Sequence, residues 1–218
     1  MINIPDIILI PLLFILGASF GSFLNVVIYR VPKKMSIIRP ASHCFSCKEP
    51  IKIKDNIPIL GYFLLKGKCR QCDAPFESRY AFVELITGLL TLCVYLIYGL
   101  GQPFVIYLIL TYLLIAVTFV DIDHFIIPNG FVMIGLGTLL FALLFEWIPI
   151  AWDDAVTGAF VFAGFLFGIG LIGQFILKKE SIGFGDVKLG LVLGGFLGTE
   201  YSILALYLSF ALSAIIIF

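Results

Sequence analysis

The fold is decided by residues 85–120, LITGLLTLCVYLIYGLGQPFVIYLILTYLLIAVTFV, a stretch of 36 positions without a charged residue. As one helix it would be about 54 Å long, whereas the hydrocarbon core of a bilayer is about 30 Å thick. Its middle, Tyr98–Pro103, reads Tyr-Gly-Leu-Gly-Gln-Pro, which is a turn signal. The stretch therefore predicts two membrane-spanning helices joined by a short turn.

Further uncharged runs flank this stretch on both sides, and a shorter apolar segment, 189–199, begins near Asp186. The longer runs cover residues 7–29, 125–145, 155–177 and 201–218. Each is close to the roughly 20 residues that a membrane span needs. The first run lacks the basic segment of a cleaved signal peptide, and the last continues to Phe218 without a polar tail. We expect an all-α, polytopic membrane helix bundle with about seven spans.

Composition agrees with this fold class. Of the 218 residues, 61% are hydrophobic and 13% are charged, against about 25% charged in an average soluble protein. The mean hydropathy is +1.12. These values exclude a soluble globular enzyme and a disordered chain. The net charge of zero provides no basic field for nucleic acid, so the expected surroundings are a lipid bilayer.

Lysine and arginine predict the orientation of the spans. Eleven of the fourteen lie within 30–79, and the other three are Lys178, Lys179 and Lys188. If the first span runs from outside to cytoplasm and each later span crosses back, all fourteen basic residues fall on the cytoplasmic side. Because basic residues mark cytoplasmic loops, the large polar segment is predicted to be cytoplasmic.

The polar segment carries two Cys-x2-Cys pairs, Cys44/Cys47 and Cys69/Cys72, separated by 21 residues. A segment of about 50 residues buries little apolar core and needs an additional constraint. Two such pairs suit a closed, structural zinc site with four cysteine ligands. Two disulfides are the alternative, although the reducing cytoplasmic side disfavours them. Cys93, inside an apolar run, is interpreted as a small packing residue.

Two carboxylate motifs lie at predicted helix ends on the same side of the membrane. Asp121-Ile-Asp123-His124 leads to Pro128-Asn129, and Gly183-Phe-Gly185-Asp186 opens the short helix 65 residues after Asp121. Taken singly, Asp186 could be a helix N-cap and either earlier aspartate an interfacial loop acid. Together they suggest an acid/base pair, because two neighbouring carboxyl groups do not both ionise easily.

Glycine is dense in the last predicted spans and permits close helix packing around such a pair. The glycines concerned are Gly158, Gly164, Gly168, Gly170, Gly173, Gly190, Gly194, Gly195 and Gly198. Taken individually, each is better interpreted as a packing residue than as part of a site.

Nearly the whole chain resembles the type IV prepilin peptidases, the bifunctional leader peptidase/N-methyltransferases of bacteria. The resemblance is carried by ordered segments: Gly17–Pro32, the two Cys-x2-Cys pairs, Asn56–Gly61, Arg79–Glu84, Asp121–Pro128 and Gly183–Asp186. The Gly183–Asp186 motif also resembles the wider GxGD group of intramembrane aspartyl proteases.

The resemblance implies cleavage of the basic leader of prepilins or pseudopilins at the cytoplasmic face of the bacterial inner membrane. It also implies methylation of the new N-terminal residue with S-adenosylmethionine. Asp121 and Asp186 take the catalytic roles, with Asp123 as the fallback for the first. The residues that bind the methyl donor are not identified. Members of the family usually have eight spans.

The expected organisation has three parts: a first span (1–29), a cytoplasmic zinc-binding loop associated with methyl transfer (30–80), and a transmembrane aspartyl protease core (81–218). Two other functions compete. A transporter or proton relay would need acids near the bilayer midplane, and the long spans contain none. A zinc-ribbon scaffold without catalysis explains the cysteines but leaves the Gly183–Asp186 motif without a role.

Overall fold

A computed structural model describes residues 6–178 and 182–217. The expected all-α class is confirmed, since these residues form helices and loops, with isolated β-bridges in place of strands. The helices are α1 (Asp6–Arg30), α2 (Leu60–Leu64), α3 (Arg79–Tyr98), α4 (Gln102–His124), α5 (Asn129–Leu144), α6 (Trp152–Leu177) and α7 (Phe184–Ile217), with a 3₁₀ turn at Ile53–Asp55.

Five of the described helices, α1, α3, α4, α6 and α7, are long and apolar enough to cross a membrane. The expected turn after Tyr98 is present, with Gly99 at φ 63° and α4 beginning at Gln102. Helix α5 is apolar but has 16 residues, about 24 Å, which is short for a bilayer core. Two residues used in the sequence argument, Lys179 and Phe218, lie outside the described residues.

Helix α7 has 34 residues and is interrupted at Gly198, where φ is 70° and ψ is −178°. This break separates the predicted short segment from the predicted final span. With it, and apart from the five-residue α2 of the polar segment, the described part of the chain has seven apolar helical segments, in agreement with the expected number. The chain is a multi-pass membrane protein.

The chain divides into two compact units, Met1–Phe125 and Ile126–Phe218. In the first, α1 packs along α3 through small residues. A Cβ on Gly17 would lie 3.0 Å from Gly88 Cα, and one on Gly21 would lie 2.7 Å from Glu84 Cα. Glycine at 17 and 21 therefore lets the two backbones meet, as in other small-xxx-small helix pairs.

Helix α4 completes the first unit. Tyr112 shares a hydrogen bond of 2.9 Å with Thr91 of α3, and its ring lies 5.1 Å from the ring of Phe20 on α1. Further along, Phe104 of α4 packs with Val94 of α3 and with apolar residues of α1. These contacts hold α4 in one unit with α1 and α3.

In the second unit, α6 and α7 are in backbone contact. A Cβ on Gly194 would collide with the Gly158 carbonyl oxygen and lie 2.7 Å from Phe162 Cβ. One on Gly190 would lie 3.3 Å from Ala163 Cα. The packing role expected for these glycines is therefore observed, whereas Gly164 and Gly168 have open space around the Cβ position.

Polar side chains of α6 form hydrogen bonds with residues next to the break at Gly198. Asp154 accepts a hydrogen bond of 2.9 Å from the Thr199 backbone N–H, and the Thr157 and Thr199 hydroxyls lie 2.6 Å apart. Ser202, which is fully buried, lies within 3.5 Å of the Gly158 and Gly194 carbonyl oxygens. Every backbone group freed by such a break needs a partner in a bilayer, and Asp154 of α6 supplies one for the Thr199 N–H.

Candidate functional site

Four cysteines of the polar segment come together as predicted. The sulfur atoms of Cys44, Cys47, Cys69 and Cys72 all lie within 4.8 Å of one another. Two of the distances between them are 3.8 Å (Cys44 to Cys72) and 3.9 Å (Cys47 to Cys69). Four sulfurs placed 2.3 Å from a tetrahedral zinc ion would be about 3.8 Å apart. The cluster therefore fits a tetrahedral metal centre and leaves the four thiols unpaired, with no disulfide among them.

The two halves of this cluster have the same backbone design. Cys44 N–H donates to Glu49 O at 2.9 Å, and Cys69 N–H donates to Ala74 O at 2.8 Å. The residue after the second cysteine of each pair, Lys48 or Asp73, has a positive φ of 61° or 55°. A sequence repeat at an offset of 25 residues, Cys-x2-Cys-x2-Pro, is the signal for this symmetry.

The donor set is suited to a metal ion. The backbone N–H of Cys47 is the main cause that lowers the pKa of the Cys44 thiol to about 6, so one thiolate is available near neutral pH. His43 is turned to another contact, with its Nδ1 atom 3.0 Å from Ala41 O. With four sulfur ligands the site is closed, which is typical of a structural and not a catalytic centre.

An ion pair connects the second cysteine pair to the 3₁₀ turn. Arg70 donates to both carboxylate oxygens of Asp55, at 2.9 and 2.6 Å. The Asp55 side chain is 7% exposed and that of Arg70 is 49% exposed. The Arg70 guanidinium holds the pKa of the Asp55 carboxyl below its ordinary value. This pair fixes the connection between the two Cys-x2-Cys pairs.

A cavity of about 270 Å³ lies in the first unit, between the polar segment and the adjoining ends of α1 and α3. Its wall includes residues from three segments that carry the family resemblance: Asn25 from the first, Ile57 from the second and Glu84 from the third. Two hydrogen bonds join these segments. Asn25 Nδ2 donates to Tyr80 O at 3.0 Å, and the Ile59 N–H donates to Glu84 at 2.7 Å.

The two acids of the first aspartate motif have different surroundings. Both lie on α4, where residues two positions apart point about 200° away from each other. Arg79, the first residue of α3, forms a bidentate ion pair with Asp123 at 2.5 and 2.6 Å. Asp121 is half-buried, and Asp123 is exposed. The Arg79 pair gives Asp123 a structural partner that the sequence did not reveal, because the two residues are 44 positions apart.

In the second unit, Asp186 is the third residue of α7, and its N–H donates to Gly183 O at 3.1 Å. A Cβ on Gly185 would lie 3.1 Å from Ile127 Cβ, so glycine allows the segment before α5 to approach this helix start. Lys188 also donates to Asn129 at 2.9 Å. The end of the first aspartate motif, Ile127–Asn129, thus packs beside the second motif.

The chain matches the model of the Bacterial Peptidase A24 N-terminal domain over residues 15–98 and that of the Type IV leader peptidase family over residues 108–218. The first match covers α1 from Ile15 onward, the cysteine cluster and α3, and the second covers both aspartate motifs. No solved structure matches the chain.

Curated relatives cover most of the chain. A "Type 4 prepilin-like proteins leader peptide-processing enzyme" of Escherichia coli O78:H11 is 38% identical over 84% of this chain and 74% of its own length. A "Prepilin leader peptidase/N-methyltransferase" of Klebsiella pneumoniae is 38% identical over 86% of this chain and 85% of its own length. One of Myxococcus xanthus is 40% identical, with 55% of its length covered. With both halves matched and relatives of this similarity, the chain belongs to the type IV leader peptidase family.

Proposed function

We propose that this protein is a prepilin peptidase that removes the leader of type IV prepilins or pseudopilins and then N-methylates the new N-terminal residue. The single observation that carries the proposal is family membership in both parts of the chain, the A24 N-terminal domain and the leader peptidase domain. The relatives are named for both activities. The transporter and scaffold alternatives are supported by no such match.

We assign cleavage to Asp121 and Asp186. One carboxylate takes a proton from water, which attacks the scissile carbonyl carbon. The other, in its protonated form, polarises the carbonyl oxygen and later gives a proton to the leaving amine. The Arg79 ion pair supports Asp121 over Asp123, because Asp123 already has a charged partner and lies on the opposite side of α4. Within the second unit, Ile127 from the end of the first motif packs against Gly185 of the second motif.

We place the enzyme in the bacterial inner membrane with cleavage at the cytoplasmic side. The bias of lysine and arginine toward 30–79 supports this orientation. A basic leader would then remain in the cytoplasm while the apolar stem of the pilin stays in the bilayer. The membrane face of the helices suits a lipid surface, with apolar side chains such as Phe160 and Ile176 both 69% exposed.

We assign the cysteine cluster to structural zinc and residues 30–80 to methyl transfer. The sulfur geometry supports zinc, which would be held by the four cysteines and would stabilise the fold of the polar segment. When bound, S-adenosylmethionine supplies a methyl group that forms a bond to the pilin amine as its bond to sulfur breaks, and the amine releases a proton. The chain's part is to hold the donor and amine together.

Mass spectrometry of a prepilin incubated with the purified, lipid-reconstituted protein tests both activities. Without S-adenosylmethionine we expect loss of the leader alone. With it, the mature pilin should also gain one methyl group. A prepilin that stays intact while zinc-loaded, folded enzyme is present would refute the peptidase function. A cleaved pilin that never gains the methyl group would refute the methyltransferase function only.

A further inference from the structure

The cavity of the first unit has a buried cation in its wall. Arg30, the last residue of α1, is 6% exposed. Its guanidinium donates to two carbonyl oxygens, Ser36 O at 3.0 Å and Pro40 O at 2.8 Å. No ion pair to Arg30 is found within the described parts of the chain. Buried charges are normally paired, so a cation balanced by carbonyl groups alone is suited to an anionic ligand group.

The same wall contains an acid without a cationic partner. Glu84 is half-buried, and its carboxylate accepts the Ile59 N–H. No ion pair to Glu84 occurs among residues 6–178 and 182–217. The other acid of the wall, Asp55, is already neutralised by Arg70. Glu84 is therefore the carboxylate of this cavity that remains to attract a cationic ligand group.

Arg30 and Glu84 lie at different positions along the direction of the α1 axis. Gly21 packs against the backbone of Glu84, and Arg30 follows Gly21 by nine residues, about 13.5 Å along a helix. The wall also contains aromatic side chains, among them Phe45 and Tyr80. Such rings provide flat surfaces on which a planar group can stack. The cavity thus suits an elongated ligand with an anionic end, a cationic centre and a flat aromatic group.

We propose, building on the proposed function, that this cavity is the binding site of S-adenosylmethionine. Arg30 binds the α-carboxylate of the methionine part, Glu84 faces the sulfonium group, and the aromatic wall receives the adenine. The molecule has all three features that the cavity selects for. The three segments of the family resemblance meet in this wall, so the assignment also gives each of them a role.

Equilibrium binding to the zinc-loaded protein in lipid nanodiscs tests the site without relying on turnover. Three probes separate the charges: S-adenosylmethionine, decarboxylated S-adenosylmethionine, which lacks the carboxylate, and S-adenosylhomocysteine, which lacks the sulfonium charge. Wild type should bind the decarboxylated probe about tenfold more weakly than S-adenosylmethionine, as expected for one lost charge-assisted hydrogen bond. Arg30→Gln should abolish this preference.

Glu84→Gln keeps an oxygen that can accept the Ile59 N–H and removes the charge. It should weaken S-adenosylmethionine binding by about tenfold and S-adenosylhomocysteine binding much less. Lys66→Gln is the matched control, since it removes an exposed cation of the same polar segment that does not line this cavity, and its affinities should equal those of wild type. Unchanged affinities and preferences in folded Arg30→Gln and Glu84→Gln would overturn the proposal.

Photo-crosslinking of S-adenosylmethionine to the wild-type protein gives an answer even if Arg30→Gln does not fold. Label should map to peptides that contain residues 22–30 or 76–84. Label confined to the second unit, together with normal pilin methylation, would overturn this site and leave the proposed function standing. If wild type neither binds the donor nor methylates a cleaved pilin, both the site and the methyltransferase function are overturned.

Discussion

The contacts inside the first compact unit differ in kind from the contacts inside the second. In the first, a long polar segment between α1 and α3 is fixed by four cysteines, an ion pair and hydrogen bonds to side chains such as Glu84. In the second, α6 and α7 meet through glycines with few charged groups between them. The polar segment of the first unit therefore depends on specific polar partners, whereas the α6–α7 pair depends mainly on small residues, as the α1–α3 pair also does at Gly17 and Gly21.

This difference follows from the surroundings of each part, which are water for the polar segment and lipid for α6 and α7. Residues 31–78 contain one short helix and one 3₁₀ turn, and a segment of that size buries little apolar surface of its own. Metal ligands and ion pairs supply the missing order. Helices within a bilayer gain little from burying apolar groups and pack best when their backbones approach closely.

The largest effect is expected from Asp121→Asn and Asp186→Asn, one in each unit. Each should reduce prepilin cleavage by several orders of magnitude, because the remaining carboxyl group cannot act as both acid and base. Methylation of an already cleaved pilin should persist, since that chemistry is assigned to the polar segment. The measurement is the rate of both reactions at matched concentrations of folded protein.

Asp123→Asn is the control for this experiment and should retain substantial cleavage, because Asp123 is engaged by Arg79. If Asp123→Asn is inactive and Asp121→Asn active, the assignment within the motif is wrong. If both are inactive, the two acids act together. Equal loss of methylation in folded Asp186→Asn would instead indicate one shared site for the two reactions.

The next largest effect concerns the metal. The wild-type protein purified without chelator should contain about one zinc per chain, and Cys69→Ser should lower the zinc content sharply. Hydrogen exchange should then speed up in residues 31–78 but not in α6 and α7. Elemental analysis and exchange mass spectrometry measure the two outcomes. Cys93→Ser is the matched control, since Cys93 lies outside the cluster.

The next prediction concerns the glycine packing of the second unit, which is tested by adding a side chain instead of removing a ligand. Gly194→Ala should destabilise the α6–α7 pair by about 1–3 kcal/mol, because the added methyl group meets the Gly158 backbone. Gly164→Ala, on the open face of α6, should have little effect. Thermal unfolding in detergent measures both variants, and the zinc content should stay unchanged. A similar loss in the two variants would show that close packing is not what matters here.

The smallest effect is expected from Asp55→Asn, which breaks the ion pair with Arg70. Arg70 lowers the Asp55 pKa, so the pair stabilises the folded state above the unfolded-state pKa, and this contribution is lost only as pH falls through the depressed value. The variant should therefore raise the rate of backbone hydrogen exchange in residues 53–76 slightly, and by the same factor at about pH 6 and about pH 8. A difference that changes across this range would contradict the proposed pairing.

Much of this fold could be predicted from the sequence. The uncharged run of 85–120 and its turn predict the two helices α3 and α4, and the charged Glu200 divides the final apolar stretch two residues from the break at Gly198. The Cys-x2-Cys spacing predicted a cluster that the sulfur distances fit. These features are local, or they are imposed by the thickness of a bilayer and the chemistry of one ion.

Other features could not be predicted, because they join residues that are distant in sequence. Nothing in the sequence pairs Arg79 with Asp123, 44 positions away, or brings Ile59 to Glu84, 25 positions away. Arg30 was used only as a marker of orientation, although it is buried beside a cavity. Nothing in the sequence pairs Asp154 with Thr199 either, because their hydrogen bond depends on a break in another helix.

That bond has a consequence for how the protein is made. A helix broken at Gly198 exposes backbone groups, and the Thr199 N–H depends on Asp154 of the preceding helix. In hydrocarbon an unpartnered backbone group costs several kcal/mol, so α7 alone is poorly suited to enter the bilayer in its final shape. We therefore expect the translocon to hold α6 until α7 has been synthesised and to release the two into lipid as a hairpin, which makes α6–α7 a unit of biogenesis.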